Sequence, residues 1–580
     1  MPKDPSLVDV LIVGAGPVGL ITAFQLAKFG GGVSVRIVEK YSKSMQDAYG
    51  RAITLFPRTS EMLDQLGLAD ELLQQCFACR DTVAYNSRGE EVHGRGWSFM
   101  HDMKDTVFDF ALVLRQKYQE EIFRGALERY GVEVEAPVEL TAVAVDDRAP
   151  AGSHRVNAVL HDHNTSSEEI LRCKCLIACD GGHSSVRRLL NIPFEGSTTE
   201  DKWVRIDGHV RTNLPKPRTY CSIESPTHGN VLWVALDHGA TRIGYAFTDD
   251  RASAHSEFDE AAAVREAVEA VKPFALAFER VDWWTIYTVG QRVAGRFSVD
   301  DCVFLAGDAC HTHSSGAAQG MNTGVHDAVN LAWKLSLVLR GAARPAILGT
   351  YQAERLPNVR RLVRYDRGIS RLMTNRLPED WAGDPGADVN EVLGRTMKEA
   401  GTFSSGLAIA YEVHAGNPLN VTGSFADSRG LVGPGSRAPD VTLLRPGTLE
   451  PTRLIRETPN TARFNMLFFA SDHTLGIPET VFRGIKQSTA IQDLVSRGCL
   501  TLLTILPSIV PSAYETLAHE PLGRVYFGTQ DTATYSRYGI DPGQGAIVVL
   551  RPDGWVGTMI ALEPGAVIAA EAYFGNIFCM

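Results

Sequence analysis

The sequence predicts an α/β protein made of a mostly parallel sheet with helices, an antiparallel sheet inserted into it, and a smaller C-terminal α/β domain. Residues 10–26 have the pattern of a buried strand, a glycine-rich turn and an apolar helix. Residues 203–288 change to short strands of alternating polarity, and strand-like and helical stretches alternate again beyond residue 437. Alternating strands and helices favour a parallel sheet, whereas regularly spaced short strands favour an antiparallel one.

The first turn carries three glycines, Gly14, Gly16 and Gly19, at G-x-G-x-x-G spacing. This spacing permits a tight turn, close approach of a pyrophosphate to the backbone, and close packing of the helix on its strand. The helix N-terminus then faces the pyrophosphate. Glu39 ends the second predicted strand, about 20 residues later, where a carboxylate can bind an adenosine ribose. The sequence therefore predicts a Rossmann-like domain for FAD or NAD, and Glu39 argues against the 2′-phosphate of NADP at this site.

The remaining elements follow from periodicity and from turn residues. Helices are predicted at residues 58–66, 72–76, 112–130, 260–271 and 328–339, and strands at residues 33–38, 231–236, 241–247, 300–305, 465–470, 500–506, 546–550 and 555–560. We predict an FAD-binding region at residues 1–376 with the inserted sheet at about 196–290, an irregular connector and linker at 377–436, and a last domain at 437–580 with a core of its own.

Composition excludes several classes of function. A chain of 580 residues is too long for one core, and its net charge of −11 gives no electrostatic reason to bind nucleic acid or an anionic membrane. The uncharged residues 10–27 are interrupted by a Gly-Ala-Gly-Pro turn, which disfavours a membrane span. Ten scattered cysteines are typical of a reducing compartment. We therefore expect a cytoplasmic protein without nucleic-acid or membrane partners.

Two further motifs add specificity to the glycine-rich turn at the start of the chain. Asp180 and Gly181 follow a predicted strand and precede a helix, and Gly307 and Asp308 end another strand. In this order and spacing the three motifs resemble the single-component FAD-dependent aromatic hydroxylases of the para-hydroxybenzoate hydroxylase and phenol hydroxylase type. The resemblance implies that FAD is the bound dinucleotide. It also implies that NADPH or NADH is the reductant and binds near the Asp-Gly motif without a separate domain.

The resemblance assigns further cofactor contacts. Asp308 can accept from a ribityl hydroxyl of FAD, and Gln116 and Arg51 match a glutamine and an arginine that the family places beside FAD. The run Gly320, Met321 and Asn322 opens a helix whose amides can face the pyrimidine carbonyls of the flavin. Among the residues around Asp180, those considered for the phosphates of the nicotinamide nucleotide are His183, Arg187 and Arg188. For these three, a solvated helix face remains the alternative.

Tyr287 matches the family tyrosine that hydrogen-bonds the oxygen of the substrate, and a core tyrosine in a strand is the alternative. Phenol hydroxylases have an aspartate at the position of Ile53, and an alkyl side chain cannot act as a base. We therefore expect Tyr287, with Arg51 nearby, to polarise the substrate oxygen. The aromatic side chains expected to roof the substrate are Trp203, Tyr220, Trp233, Trp283 and Trp284.

A second departure from the family lies after Gly307, where Ser315 and Ala318 stand in place of a usual proline and a frequent glycine. His311 and His313 form an H-x-H pair, but the strand-to-loop context favours a structural role, and we expect no metal. Residues 435–440 and 549–557 resemble the thioredoxin-like domain of the phenol hydroxylase branch. No cysteine pair follows its first strand, so packing or homodimer formation is expected rather than redox chemistry.

These observations predict an external monooxygenase. In the family reaction NADPH or NADH reduces FAD, molecular oxygen adds at flavin carbon 4a, and the flavin hydroperoxide delivers one oxygen atom to a small aromatic substrate of phenolic or polyketide type. Loss of the aspartate at Ile53 leaves Baeyer–Villiger oxidation or epoxidation of a polycyclic substrate as an alternative. A non-catalytic flavin-fold binding protein is the alternative from another class.

Overall fold

The structure is a computed structural model. It describes residues 5–46, 52–95, 97, 100, 103, 105–248, 251, 253, 257–314, 318–425, 430, 432–471, 478–513, 521–528 and 533–579, apart from the side chains of residues 199–201 and 289. The described residues form four sheets with helices packed around them. The predicted α/β fold class is confirmed.

The strand Ser6–Val13 lies at the centre of the N-terminal sheet. It runs parallel to Ser167–Ala178 on one side and to Val35–Val38 on the other, and Val303–Leu305 extends the parallel sheet. The remaining strands of this sheet are Val134–Glu135, Val138–Val145, Val156–Asp162 and Ser298–Val299. Because parallel strands end at one edge, the loops after Val13, Val38 and Ala178 meet there.

Helices cover this sheet. The first, Pro17–Phe29, begins with proline at its first turn and packs on the helices Gln116–Glu128 and Gly320–Leu339. The other helical segments of the N-terminal half are Lys43–Gln46, Pro57–Gln65, Ala69–Gln75, Ser185–Leu189, Gly307–Ala309, Pro345–Gly349 and Thr350–Met373.

The helix predicted at residues 112–130 begins later than its apolar pattern indicates. Ala111–Val113 is a strand that pairs with Thr54–Leu55 and Phe77–Cys79 in a three-stranded sheet. The helix starts only at Gln116. A short apolar run fits either period, and here backbone pairing with distant segments decides in favour of a strand. The strand predicted at 300–305 is likewise shorter, because Asp300 and Asp301 form a turn with φ of 50° and 51°.

The inserted sheet is antiparallel in its main part. Its strands are Phe194–Thr212, Tyr220–Ser225, Gly229–Ala235, Thr241–Phe247 and Leu276–Ala294, and it is extended by Thr82–Tyr85, Glu91–Val92 and His311–Thr312. A short helical turn, Asp237–Gly239, links two of the strands. The helix Glu260–Ala270 packs against one face of this sheet, which we call the outer face. The opposite face, which we call the inner face, is turned toward Ile53 and the end of Thr350–Met373.

This alternation corrects the predicted aromatic roof. Trp203, Tyr220 and Tyr287 belong to the inner face, and the register places Trp283 there as well. Trp233 and Trp284 instead pack on the outer face. Neighbouring residues of a strand point to opposite sides, so Trp283 and Trp284 cannot share one cavity.

The C-terminal domain is a mixed sheet. Phe464–Phe469 runs parallel to Leu500–Leu506 and antiparallel to Ala546–Leu550. Its other strands are Thr442–Leu444, Pro451–Arg453, Arg524–Phe527 and Val556–Ala561, and its helices are Leu454–Glu457, Glu479–Gln487, Thr489–Ser496, Thr534–Arg537 and Ala566–Gly575. The preceding connector contains the helices Val389–Glu399 and Gly401–Ser404.

One face of this sheet packs in a core of its own, and the other face does not. Leu467 and Phe469 lie in a separate core, whereas Phe464 and Phe468 join the core of the N-terminal half. The ring of Trp333, on the helix Gly320–Leu339, meets that of Phe464 edge-on at 5.6 Å. The two halves therefore share one apolar core. No helix within the described part of the chain combines the length and the apolar character needed to cross a membrane.

Candidate active site

A cleft of about 210 Å³ opens at the carboxyl edge of the N-terminal sheet. It is formed by the loops after the strands Ser6–Val13, Val35–Val38 and Ser167–Ala178. The sequence-predicted residues that line it are Gly14, Gly16, Glu39, Gln116 and Asp180. Five positions spread over more than 160 residues of chain thus meet at the edge where α/β sheets bind their ligands.

The three glycines have different roles. Gly14 has a φ of +102°, and a Cβ there would lie 2.3 Å from the carbonyl oxygen of Cys179. A Cβ at Gly19 would lie 2.0 Å from the carbonyl oxygen of Gly14, so this glycine permits close packing of helix on strand. At Gly16 a Cβ would meet nothing within 4 Å. Gly16 therefore leaves space for a group from outside the described chain.

Glu39 is held where its carboxylate reaches the glycine turn. Its Oε2 accepts from the backbone N–H of Ala15 at 2.9 Å, and its Oε1 accepts from that of Tyr41 at 3.0 Å. These bonds fix the carboxylate at the wall of the cleft, and each oxygen has a second lone pair for a ribose hydroxyl.

Asp180 combines a structural bond with an unsatisfied atom. Its Oδ2 accepts from the backbone N–H groups of Ser185 and Val186, at 2.7 and 3.1 Å, and so caps the following helix. Its Oδ1 is buried and has no hydrogen-bond partner among the described residues. Burial raises the pKa of Asp180. A buried polar atom without a partner calls for a ligand or water. Together with the space at Gly16, it shows that this cleft fits a dinucleotide.

Gln116 connects the cleft to the segment that follows Arg51. Its side-chain Oε1 accepts from the N–H of Ala52 at 3.1 Å, and its own N–H donates to the carbonyl of Ala52 at 3.0 Å. Its Nε2 donates to Glu120 Oε1 at 2.8 Å. Arg51 itself lies outside the described residues. Gln116 therefore lines the cleft and also anchors the neighbouring backbone.

The Gly307 turn is held from behind by a buried ion pair. Asp327 Oδ2 accepts from the N–H of Gly307 at 3.0 Å and lies 2.8 Å from His311 Nε2, and Asp327 Oδ1 accepts from Arg355 Nε at 2.7 Å. Burial alone would raise the pKa of Asp327, but Arg355 and His311 bring it to about 2. Cys310, His311 and Asp327 are close enough to hold a metal ion, yet both carboxylate oxygens of Asp327 already take part in these contacts. Asp308, by contrast, is exposed.

The helix predicted to face the flavin begins at Gly320, and the first amides of a helix have no acceptor within it. The side chain of Asn322 turns away from this end. Its Oδ1 accepts from the N–H of Phe56 at 2.8 Å and its Nδ2 donates to the carbonyl of Thr54 at 3.0 Å. Only the backbone of Asn322, with those of Gly320 and Met321, is therefore left for a cofactor. The neighbouring Ala318 has a φ of 52°, and Ser315 lies outside the described residues.

Ile53 and Tyr287 meet in one core, which we call the inner core. It is formed by the inner face of the inserted sheet, the segment around Ile53 and the end of the helix Thr350–Met373, with Val389–Glu399 beyond it. Ile53 is 6% exposed, and Tyr287 pairs across the strands with Trp203. The loop of Ile53 and the strand of Tyr287 thus face the same region.

Asp366 is a residue that sequence reasoning missed. It lies on the helix Thr350–Met373 and is fully buried. Its Oδ2 accepts from Gln291 Nε2 and from the N–H of Ser314, each at 2.7 Å, and its Oδ1 accepts from Ser314 Oγ at 2.6 Å. Asp366 therefore ties the strand of Tyr287 to the loop before Gly320. No local pattern marks it, because an aspartate in a polar helix usually faces solvent.

Arg187 does not lie where a phosphate could reach it. Its guanidinium donates to the carbonyls of Ala309 and Gly182, each at 2.7 Å, and stacks on the ring of Phe194 at 3.7 Å. It is 4% exposed and braces the Asp180 loop against the Gly307 turn. His183 and Arg188, beside it, are exposed.

Comparison with known proteins agrees with this geometry. Residues 7–366 match a family model described as an FAD binding domain, and residues 505–580 match one described as the phenol hydroxylase C-terminal dimerisation domain. The chain is 28% identical to phenol 2-monooxygenase of Aspergillus fumigatus, over 96% of this chain and 94% of that protein. It is 30% identical to 6-methylpretetramide 4-monooxygenase of Streptomyces rimosus, over 96% and 91%.

A solved structure shows the same fold. The flavin-dependent monooxygenase PieE, solved in complex with FAD and substrate, superimposes with a TM-score of 0.72 at 21% identity, over 99% of this chain and 100% of that one. The first family model covers more than half of the chain. The chain therefore belongs to the family of FAD-dependent monooxygenases built on this FAD binding domain, with a phenol hydroxylase type of C-terminal domain.

Proposed function

We propose that the chain is an NADPH- or NADH-dependent hydroxylase of an aromatic substrate of phenolic or polyketide type. The observation that carries the proposal is the presence in one chain of a dinucleotide cleft with an unsatisfied Asp180 oxygen and of an inner core to which both Tyr287 and Ile53 belong. The relatives named phenol 2-monooxygenase and 6-methylpretetramide 4-monooxygenase support this class.

When bound, FAD would accept a hydride from the nicotinamide nucleotide and would supply the chemistry that activates molecular oxygen. The residues that would hold it are Gly14, Gly16, Gly19, Glu39, Arg51, Gln116, Asp180, Gly307, Asp308, Gly320, Met321 and Asn322. Gly16 leaves room for the pyrophosphate, Glu39 accepts from the ribose, and the amides that begin at Gly320 stabilise negative charge. The exposed His183 and Arg188 remain candidates for the reductant's phosphates.

On the substrate side, Tyr287 donates a hydrogen bond to the oxygen of the aromatic ring and so stabilises the charge that develops there. Arg51 is proposed to assist. The apolar side chains of the inner core exclude water, which keeps the oxygen transfer coupled to the substrate. The C-terminal domain is proposed to mediate a homodimer, as its family description indicates.

Ile53 favours a second candidate, Baeyer–Villiger oxidation or epoxidation, because neither reaction requires removal of a phenolic proton. One panel tests both candidates. Holoenzyme is incubated with phenol, 3-hydroxybenzoate, a polycyclic polyketide phenol and a cyclic ketone, and oxidation of NADPH or NADH is recorded together with product structure by NMR. Hydroxylated product from a phenol supports the first proposal. A lactone or an epoxide as the sole oxygenated product would replace it, and oxidation of the reductant without any oxygenated product would contradict both.

A further inference from the structure

The inner face of the inserted sheet carries an arginine that the proposed function does not use. The register places Arg205 between Gly244 on one neighbouring strand and Thr285 on the other. Trp203 and Tyr287 form the next row of the same face, since residues two apart on a strand point to the same side. Arg205 is 4% exposed, so its cation is held inside the protein beside the inner core.

The position of this guanidinium depends on a glycine. A Cβ at Gly244 would lie 2.1 Å from Arg205 Nη1 and 2.6 Å from its Cζ. Nη1 also donates to the carbonyl of Val204 at 3.3 Å. Gly244 therefore provides the space into which Arg205 folds across the sheet.

Two aromatic rings lie beside the cation. Arg205 Cζ is 5.0 Å from the ring centroid of Trp203 and 5.7 Å from that of Tyr287. Both distances are within the range in which a ring and a cation attract each other. The contact orients the ring of Tyr287 and places a positive charge close to it.

The other ionisable groups that face Arg205 are Asp207, Arg242 and Tyr220. Asp207 is engaged by Arg242, with Nε to Oδ1 at 2.7 Å and Nη2 to Oδ2 at 2.8 Å. Burial raises the pKa of Tyr220 to about 12, so this tyrosine stays neutral at physiological pH. Asp207 and Arg242 offset each other, and Tyr287 lies within the range of the charge of Arg205.

The interaction of Arg205 with Tyr287 is reciprocal. Burial lowers the pKa of Arg205, and Tyr287 counteracts that change. By linkage, a group that stabilises the cation has its own anionic form stabilised by the same amount. This matters because Ile53 offers no base to the substrate.

We propose that Arg205 is a positioning residue for oxygen transfer, which orients Tyr287 and makes its hydroxyl a stronger hydrogen-bond donor to an acidic oxygen of the aromatic substrate. The contact with substrate rests on the proposed function. The substrate hydroxyl releases its proton to solvent water, and the resulting phenolate accepts a hydrogen bond from Tyr287, which keeps its own proton. The substrate class is then an aromatic or enolic compound with an ionisable hydroxyl that is conjugated with the carbon attacked, ortho or para to it in a phenol.

The test measures the ionisation of Tyr287 in the FAD-bound full chain without substrate. Tyrosine labelled with carbon-13 at its phenolic carbon gives one NMR signal per residue, and Tyr287→Phe identifies the signal of Tyr287. In Arg205→Met this signal is expected to titrate about one to two pH units higher than in the wild type, because the variant removes a positive charge that lies beside the Tyr287 ring. Arg205→Lys keeps the charge and is expected to restore most of the shift.

Two further variants complete the design. Gly244→Ala displaces the guanidinium without removing it and is expected to shift the Tyr287 titration in the same direction, by less. Arg211→Met removes an exposed arginine from the same strand, paired with Glu279, and is expected to leave the titration unchanged. If Arg205→Met does not fold, the titration of Tyr287 in Gly244→Ala, compared with that in Arg205→Lys and the wild type, tests the proposal instead.

A Tyr287 signal that titrates at the same pH with and without the Arg205 charge would overturn the proposal. So would a signal that stays protonated to the alkaline limit of stability in the wild type. Because no substrate is present, this result is independent of the panel described above. A positive NMR result with no hydroxylated product would reject the proposed function and leave the Arg205–Tyr287 coupling intact.

Discussion

The dinucleotide cleft and the interface with the C-terminal domain each contain a carboxylate with a buried oxygen, and the two carboxylates differ in their hydrogen-bond partners. In the interface, Glu354 is paired with Arg551, whose Nη2 donates to Glu354 Oε2 at 3.0 Å. The same oxygen accepts from Lys334 Nζ and from Asn330 Nδ2, each at 2.8 Å. In the cleft, Asp180 has an oxygen without a described partner. Burial acts to raise the pKa of both carboxyl groups. At Glu354 the charges of Arg551 and Lys334 outweigh burial and lower the pKa. At Asp180 burial prevails and the pKa is raised.

This difference in hydrogen-bond partners distinguishes a carboxylate that stabilises the fold from one that is available to a ligand. The interface continues with Glu61, which pairs with Arg58 and Arg437, and with Arg58, whose guanidinium lies 4.2 Å from the ring of Trp555. There the chain pairs each buried carboxylate with cationic side chains of its own, although Arg58 Nε has no hydrogen-bond partner among the described residues. The cleft keeps an open space at Gly16 and an orphaned oxygen at Asp180. In the cleft, the unsatisfied oxygen of Asp180 lies beside open space, where a bound molecule can complete its hydrogen bonding.

Deleting the C-terminal domain is expected to have the largest effect, because it removes one side of the interface. A domain with a separate core would leave the flavin site unchanged when residues after 430 are deleted. The shared core instead predicts that the deletion exposes Trp333 and leaves Glu354 without its Arg551 partner. We expect the truncated chain to be insoluble or unable to bind FAD, as measured by gel filtration and flavin absorbance. A soluble, yellow, truncated protein would contradict the shared core.

Neutralising Glu354 tests the interface with a single substitution. Glu354→Gln leaves Arg551 and Lys334 buried without their shared anion, which should lower the free energy of unfolding by about 3–5 kcal/mol. FAD affinity of the folded protein should not change. The matched control is Glu450→Gln, because Glu450 pairs with Arg445 at the surface and its loss should cost less than about 1 kcal/mol. Equal urea midpoints for the two variants would contradict the assignment.

Acid should weaken the interface through Glu61. Burial alone would raise its pKa, but Arg437 and Arg58 bring it down to about 2, below the ordinary value of 4.5. Because the folded value is the lower one, the contribution of Glu61 is complete above about pH 4.5 and is lost as the pH falls toward 2. Glu61→Gln should remove this part of the pH dependence of urea unfolding. An unchanged acid dependence would show that Glu61 is not ionised in the folded state.

Tyr287 sharpens the substrate side of the comparison. Tyr287→Phe removes one hydrogen-bond donor and keeps the ring, so oxidation of the reductant should persist while product per reductant falls about tenfold, the effect of roughly 1.4 kcal/mol. Ile53→Asp should shift the pH dependence of product formation, because that loop faces the same core. Full coupling of Tyr287→Phe at every pH would make Tyr287 a packing residue only.

The smallest effect is expected at Ala318, which has a positive φ where the family often has glycine. Ala318→Gly relieves a strain of about 1 kcal/mol and loses a similar amount through the more flexible unfolded chain, so stability should change by less than about 1 kcal/mol. Ala267→Gly, in the helix Glu260–Ala270, is the control and should destabilise by about 1 kcal/mol. Equal losses at the two positions would contradict the strain at Ala318.

Local patterns predicted most of the fold and the cleft. The glycine turn, Glu39 and the Asp180 loop were predictable because each is a strand end with a recognisable neighbour. The interface was not, because Glu354 and Arg551 are 197 positions apart and each has the pattern of a surface charge. The prediction that Arg187 contacts a phosphate was wrong, because its guanidinium donates to backbone carbonyls that no sequence pattern marks. Arg205 and Gly244 face each other only through strand register, which turns fix and residue types do not.

The most direct test of the account is the binding of FAD to Gly16→Ala. A methyl group at this position meets nothing within 4 Å in the protein, so the variant should unfold at the same urea concentration as the wild type without cofactor. It should nevertheless bind FAD at least about tenfold more weakly, a loss of about 1.4 kcal/mol or more, because the methyl group fills the approach of the pyrophosphate. Titration of both apo-proteins with FAD, followed by flavin fluorescence, measures this difference. Equal affinities, or a wild type that cannot be reconstituted with FAD, would contradict the central claim.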